Sequence, residues 1–386
     1  MTLKSACTTT ESIVVPSGYT FNGDHFTITA EDPGTKIFDG AVVSADGGKT
    51  TIDDLTIDGD FTNSNPKCKY DLAGVSMYDV KAATVEDVTI ENLNRGPDDT
   101  CGGGDGIDVI NGKLKQFSTV LEGDTISGVE GIGISLYGDV SAEIANNSVT
   151  GYADSQGVDS CYGISVNADN AGLTIENNQV TEDCMAPSTG CNGLSLYTSS
   201  GTSTITDNTI DGSCDSSEYS TNGILLWESS GLDVSGNSTA FSGASSNGIG
   251  IWDEGFFGPA NDNDVENNTV EDSPFGVTVI AEYVSDATTA EPTANSNDVE
   301  GNDVDDPASG TYGVEVFQCS GEAVTCNADT NAVENNTISC YTTPVEDEGT
   351  DTAVSGNTIG GCPPGLPSRY SRVSLRVRVP KAAPKI

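Results

Sequence analysis

A glycine followed by alternating apolar residues recurs along the chain. It reads Gly74-Val-Ser-Met-Tyr78, Gly106-Ile-Asp-Val-Ile110, Gly133-Ile-Ser-Leu-Tyr137, Gly163-Ile-Ser-Val-Asn167 and Gly193-Leu-Ser-Leu-Tyr197. It continues as Gly223-Ile-Leu-Leu-Trp227, Gly248-Ile-Gly-Ile-Trp252, Gly276-Val-Thr-Val-Ile280 and Gly313-Val-Glu-Val-Phe317. The glycines lie 25 to 37 residues apart. Apolar residues at every second position predict short strands with one face buried. Self-similarity at this period predicts a solenoid, a propeller or an array.

A second motif interleaves with the first. It reads Ile144-Ala-Asn-Asn147-Ser-Val149, Ile175-Glu-Asn-Asn178-Gln-Val180, Ile205-Thr-Asp-Asn208-Thr-Ile210 and Val265-Glu-Asn-Asn268-Thr-Val270, with later copies at Asn302, Asn336 and Asn357. The second Asn of each copy is expected to form an internal ladder, its amide satisfying turn backbone and its neighbours. No segment carries a sustained helical stripe. A propeller blade needs about 40–50 residues and four strands, so the shorter period favours an all-β, single-stranded parallel β-helix. About 11–12 coils are expected from the repeat count. Residues 1–60 form N-terminal capping coils in this scheme, 61–362 the repeats, and 363–386 a tail outside the fold.

These rows resemble the right-handed parallel β-helix repeats of the pectin-lyase-like superfamily. They are most similar to its carbohydrate-binding and sugar-hydrolase type, which includes the NosD-like periplasmic proteins. The resemblance covers residues 10–362. It implies a β-helix that binds, and in some members processes, a polysaccharide. The fold alone does not choose among lyases, hydrolases, epimerases, adhesins and inert rods.

Charge narrows the partners. The chain has 59 acidic and 15 basic side chains, a formal charge of −44. From Gln116 to Ser368 there is no Lys or Arg. Nucleic-acid binding rests on Lys and Arg neutralising phosphates, so nucleic acid is excluded as a partner. No apolar run is long enough for membrane insertion. The acidity suits a halophilic, high-salt source, or else a secreted protein that collects cations. The tail from Arg369 to Lys385 holds six basic residues and is foreign to the body. Met1-Thr-Leu-Lys-Ser-Ala lacks the apolar core of a secretory leader. If the location is extracellular or at the cell surface, as expected, a leader was trimmed or the sequence starts downstream of it. The sequence leaves the oligomeric state open.

The 11 cysteines recur at coil spacing. Equal offsets from the repeats predict disulfides Cys161–Cys191, Cys184–Cys214 and Cys340–Cys362. Cys68 and Cys101 form a similar pair, and Cys319 and Cys326 would close a short loop. Adjacent coils place such Cα atoms at about 5 Å, inside the disulfide window. The alternative is a row of buried thiols. Disulfides would imply an oxidising compartment.

With Gly+1 and Gly+3 in the core, Gly+2 and Gly+4 point outward. Six of nine Gly+4 residues are aromatic, in a chain that is 6% aromatic. Tyr137, Tyr197, Trp227 and Trp252 are therefore candidate sugar-stacking residues. The alternative is that these rings pack beneath the following loops. His25, the single histidine, is expected to be structural.

One coil departs from the pattern. Arg95-Gly-Pro-Asp-Asp-Thr-Cys-Gly-Gly-Gly-Asp-Gly-Ile-Asp108 joins a Gly-rich loop, four carboxylates and an Arg. The segment Asp105-Gly-Ile-Asp108 resembles the Asn-Thr-Asp-Gly-Ile-Asp motif of the polygalacturonases, inverting glycosidases whose first Asp in this match is catalytic. The resemblance makes Asp105 a catalytic candidate, with Asp108 facing the same groove and Arg95 as the cation. It departs at Gly104, where the family has Thr, and at Gly131-Ile132, where a second Asp would stand. Asp98 and Asp99 are candidate calcium ligands, being hard oxygen donors. Later coils offer no cation, but carboxylate-only hydrolysis with Asp253 and Glu254 is open. The expected function is polysaccharide binding. The alternatives are a hydrolase or lyase at Arg95–Asp108, and a structural rod or adhesin without activity.

Overall fold

The computed structural model describes residues 1–34, 36–62, 72–94, 104–112, 117–129, 131–151, 160–167, 172–183, 190–213, 221–282, 291–319 and 326–362. Among them every regular element is a β-strand, and every strand pairing is parallel. The chain divides into two compact units, Met1–Ala186 and Pro187–Ile386. Each unit is a parallel β-solenoid with three stacks of strands per coil.

In the first unit the first stack runs Ile13–Val15, Ala41–Asp46, Ala73–Tyr78, Asp105–Ile110, Ile132–Tyr137 and Ser160–Asn167. The second stack contains Thr20–Asn22, Phe117–Glu122, Val140–Ala145 and Leu173–Glu176. The third contains Thr27–Glu31, Thr125–Ser127, Ser148–Thr150 and Gln179–Asp183. The long strands Lys49–Asp60 and Ala82–Glu91 turn the corner and serve both.

The second unit repeats the plan. Its first stack runs Gly190–Tyr197, Thr221–Trp227, Ser246–Asp253, Phe275–Ala281, the end of Asp303–Gln318 and the end of Thr337–Asp347. The second stack ends at Ala353–Ser355 and the third at Thr358–Gly360. All nine glycine-led segments therefore lie in the first stack of their unit.

The alternation has its expected consequence. Ile107, Val109, Leu194, Leu196, Ile249, Ile251, Val277 and Val279 are all 0% exposed. Such burial, at about 25 cal/mol per Å² of apolar surface, is the main force holding the coils together. The repeat glycine is required by close approach. A Cβ on Gly248 would lie 2.2 Å from Val270 Cγ1 and 2.8 Å from the Gly276 carbonyl oxygen.

Corners are built by the asparagine motif. The residue before each ladder position is left-handed: Asn146, Asn177, Asp207, Asn267 and Asn335 have φ of 55–58°, and Gly123, Gly236, Gly301 and Gly356 fill the same place at 68–71°. Asn, Asp and Gly are the residues that tolerate this region. The ladder then forms as expected. Asn268 Nδ2 donates to Val234 O at 2.8 Å and to Asn302 Oδ1 at 3.0 Å, and its Oδ1 accepts from Asn237 N and Nδ2. A further ladder, Asn263–Asn297–Asn331, runs at another corner and carries no Asn-Asn signature.

The cysteine expectations are corrected in part. Cys319 and Cys326 are disulfide-linked, with Cα atoms 5.3 Å apart. Cys340 and Cys362 meet as predicted from their offsets, but as hydrogen-bonded thiols and not as a disulfide. Cys161 and Cys191 are buried thiols, each in its own unit. Cys68, Cys101, Cys184 and Cys214 lie outside the described residues, as does the tail after Cys362. His25 is paired with Asp54 through Nδ1 and is itself exposed.

Candidate functional site

Of the coil singled out by sequence, Arg95, Asp98 and Asp99 lie outside the described residues. Asp105 opens a first-stack strand, and its Oδ1 accepts the Ile132 N–H at 3.0 Å. That carboxylate thus clips one coil to the next. Asp108 faces outward, half-buried, in register with Ser76 and Ser135. Tyr137 is 39% exposed and stands two residues further along the strand that bears Ser135.

The outward row of the second unit is more elaborate. Tyr197, Trp227, Trp252, Ile280 and Phe317 are in register on successive strands. They do not form one open platform. Trp252 is 6% exposed, packs with Leu225 and Ile280, and donates its Nε1–H to Thr278 Oγ1 at 3.1 Å. It anchors the row and offers no face to a sugar. Tyr197 and Trp227 are half-buried and meet edge to face, with centroids 4.9 Å apart at 88°.

Two further rings, missed in the sequence, complete the group. Phe256 and Phe257 lie on the turn after Asp253, with centroids 6.0 and 6.1 Å from Trp227. Phe257 is 69% exposed. Buried carboxylates fix this turn. Glu228 accepts the N–H groups of Phe256 and Phe257 at 2.6 Å each. Asp253 accepts Gly255 N–H at 2.6 Å and Thr293 N–H at 2.5 Å. Gly255, at φ 79°, supplies the left-handed bend.

Burial shifts these acids upward, since it disfavours the charged form. Glu228 is raised to about 7 by burial and then by the charge of Asp253, against the pull of its backbone donors. Asp253 is raised to about 6 by burial. Glu254 is raised to about 8, by burial first and then by the carboxylates of Glu282 and Glu228. The Trp227 indole N–H lies beside Glu254 short of hydrogen-bond geometry and offsets part of that shift. Glu254 is 4% exposed, and its Oε2 has no hydrogen-bond partner. Glu228 and Asp253 are thus committed to the backbone, while Glu254 is an uncommitted carboxyl that holds its proton at neutral pH. Glu282, half-buried, is raised by desolvation as well.

The sequence reading reached Asp253 and Glu254 but not Glu228 or Glu282. The available signal was position. Glu228 follows Trp227 as Asp253 follows Trp252.

Elsewhere in the second unit, carboxylate oxygens of Glu266, Asp298 and Glu300 lie within 4.8 Å of one another. Hard oxygen donors at that separation suit a cation such as Ca²⁺. It is the metal-compatible group among the described residues; Asp98 and Asp99, the pair expected from sequence, lie outside them.

Comparison with known proteins places the scaffold. Residues 39–239 match the family described as the right handed beta helix region. The chain belongs to the right-handed β-helix family. No curated protein matches the chain. Among solved structures, a mutant periplasmic alginate epimerase aligns with TM-score 0.52 at 11% identity, covering 90% of this β-helix and 77% of that chain. The A-module of a mannuronan C-5 epimerase of Azotobacter vinelandii aligns at 0.46 and 16% identity, covering 94% and 92%. The catalytic domain of a GH87 α-1,3-glucanase in complex with nigerose aligns at 0.46 and 11%, covering 92% and 64%. Among the described residues, no helix is long and apolar enough to cross a membrane.

Proposed function

We propose that this β-helix binds a polysaccharide through Tyr197, Trp227, Phe256 and Phe257, at the cell surface or outside the cell. The observation that carries the reading is Phe257. Its ring is 69% exposed, yet the turn beneath it is fixed by Glu228 and by the bend at Gly255. A large ring held rigid in water has paid its ordering entropy in advance, which is what a binding surface needs. The shared scaffold of the alginate epimerase supports a carbohydrate partner.

The surface selects among glycans. With no Lys or Arg from Gln116 to Ser368, nothing neutralises a uronate carboxylate. A neutral polysaccharide is therefore favoured, with a polyuronate admitted only when Ca²⁺ bridges the like charges. Affinity electrophoresis on glucan, mannan, xylan, alginate and pectate, with and without Ca²⁺, tests this. Phe257→Ala and Trp227→Ala are expected to weaken binding by on the order of tenfold each. Unchanged binding by both variants, or binding to no glycan, overturns the reading.

A second reading, hydrolysis, is favoured by Glu254. A carboxyl that keeps its proton near neutrality is what a general acid requires, and Glu282 beside it would serve as the second carboxylate. Release of reducing ends that is abolished in Glu254→Gln with binding retained supports it. Should turnover survive in Glu254→Gln and vanish in Asp108→Asn, the site is the Arg95–Asp108 coil instead.

A further inference from the structure

The span 254–258 is fastened at both ends. At its start, the Asp253 carboxylate takes the N–H groups of Gly255 and Thr293. At its end, Ser230 Oγ donates to Pro259 O at 2.6 Å, and the Ala260 N–H donates to Thr293 O at 3.0 Å. Between these anchors the backbone of Phe256 and Phe257 is held by Glu228. A glycine stands on either side of the two rings. Gly255 is left-handed, and a Cβ on Gly258 would meet nothing within 4 Å. The span therefore has a bend on one side, open space on the other, and room to move as a unit.

Glu254 belongs to this span and is 4% exposed. Its Oε2 has no hydrogen-bond partner among the described residues. The charges that bear on it are all carboxylates: Glu282, which follows the strand Phe275–Ala281, Glu228, which follows Thr221–Trp227, and Asp253 on its own strand. Residues 116–368 contain no Lys, Arg or His, so every charged side chain in that stretch is negative. Glu228 is the contrasting case, because two N–H donors at 2.6 Å meet its charge. An ionised Glu254 has only the Trp227 indole beside it. A buried charge without a partner either takes a proton or moves to water. Burial, Glu282 and Glu228 hold the Glu254 carboxyl up at about 8, so in the closed turn it keeps its proton.

We propose that Glu254 is a proton-operated latch on the aromatic face: neutral, it lets the Phe256–Phe257 turn close against Trp227, and ionised, it drives the turn open. Its consequence for glycan binding rests on the reading given above, whereas the motion of the turn does not. The sign follows from linkage. In the open turn Glu254 meets water and titrates near the ordinary Glu value of about 4.3. The closed turn binds the proton more tightly, so it loses up to about tenfold against the open turn for each pH unit between the two values. Glu228 and Asp253 are also raised by burial and act in the same direction. Glycan binding is therefore tight on the acid side and weakens toward alkaline pH.

Acrylamide quenching of tryptophan fluorescence tests the latch without a glycan. The chain has two tryptophans, and Trp252 is 6% exposed, so a change in quenching reports Trp227. Between pH 6 and pH 9 quenching of the unaltered chain is expected to rise about twofold as the turn opens. Trp227→Phe should abolish the rise, and Glu254→Gln, which cannot ionise, should remove most of it. Glu282→Gln keeps Glu254 but takes away a neighbouring charge, and it should shrink the rise. No rise in the unaltered chain, or the same rise in Glu254→Gln and Glu282→Gln, overturns the inference. For a glycan retained from the panel, the dissociation constant at pH 9 is expected to be on the order of tenfold above that at pH 6, with a smaller change in Glu254→Gln. Equal pH dependence in both chains also overturns it. Quenching that behaves as expected while no glycan binds at any pH sinks the binding reading and supports the latch.

Discussion

The backbone N–H of Asp124 donates to Asn147 Oδ1 at 2.9 Å, so an aspartate holds a rung of the asparagine ladder. Its Oδ1 accepts the Val88 N–H, but its Oδ2 has no partner. Asn147 in the next rung donates its Nδ2 to Leu121 O and to Asn178 Oδ1. Asp124 can imitate that donor only when protonated, and burial holds its carboxyl well above the usual carboxylate range. Asp124→Asn restores the missing donor at constant shape. It is expected to stabilise the first unit by about 1–3 kcal/mol at pH 8, the cost of a buried unmade hydrogen bond. Calorimetry at pH 5 and pH 8 checks this, with the larger gain expected at pH 8.

The pH dependence of the whole protein follows the same sign. Asp253 and Asp306 are raised to about 6, Glu228 and Glu315 to about 7, and Glu254 to about 8, each mainly by burial. Each such group binds its proton more tightly folded than unfolded. Its contribution is complete below the unfolded value near 4 and is lost as pH rises through the folded value. Thermal stability is therefore expected to fall between pH 5 and pH 8.5, with a drop in Tm on the order of 5 °C. Glu254→Gln should flatten the upper part of that curve. A Tm that rises with pH over this range counts against the buried, protonated carboxyls.

Asn268 tests the ladder itself. Its Oδ1 is the acceptor for Asn237 N, and its Nδ2 serves Val234 O. Asn268→Ala leaves buried groups unpaired on both adjacent coils and is expected to cost about 2–4 kcal/mol. Urea unfolding measures the loss. A cost below 1 kcal/mol would mean that the corner backbone finds other partners.

Salt should stabilise the body. Asp264 and Asp298 are in register, as are Glu266 and Glu300, and no Lys or Arg lies between Gln116 and Ser368. Like charges stacked at about 4.8 Å repel. Screening shortens from ~10 Å at 0.1 M to ~3 Å at 1 M salt. Tm is expected to rise with NaCl over that range, and a flat salt response contradicts self-repulsion as the limiting term.

The rungs were legible because each rests on a local rule. Gly248 marks a place where a Cβ has no room, and Asn268 marks a buried amide with four partners in reach. Asp124 belongs to the same series but escapes a search for Asn-Asn, since Gly123-Asp124 satisfies the geometry with other letters. The site was less legible. Trp227 and Trp252 hold equivalent repeat positions. Only the neighbours Leu225, Ile280 and Thr278 decide that Trp252 is buried. Nor can the letters say which of 59 acidic residues are buried. Glu254 became distinct only once the turn bearing Phe256 and Phe257 was seen to engage Glu228 and Asp253.

In the second unit, Gly193, Gly223, Gly248, Gly276 and Gly313 are separated by 30, 25, 28 and 37 residues. The residues that follow them nonetheless stay in strict register, Leu194 to Ile224 to Ile249 to Val277 to Val314. Differences in chain length are therefore absorbed entirely between rungs. A segment can grow or shrink at a corner without re-indexing a single core residue above or below it. New surface chemistry can thus be acquired one corner at a time, while the column of Ile, Val and Leu beneath keeps its place.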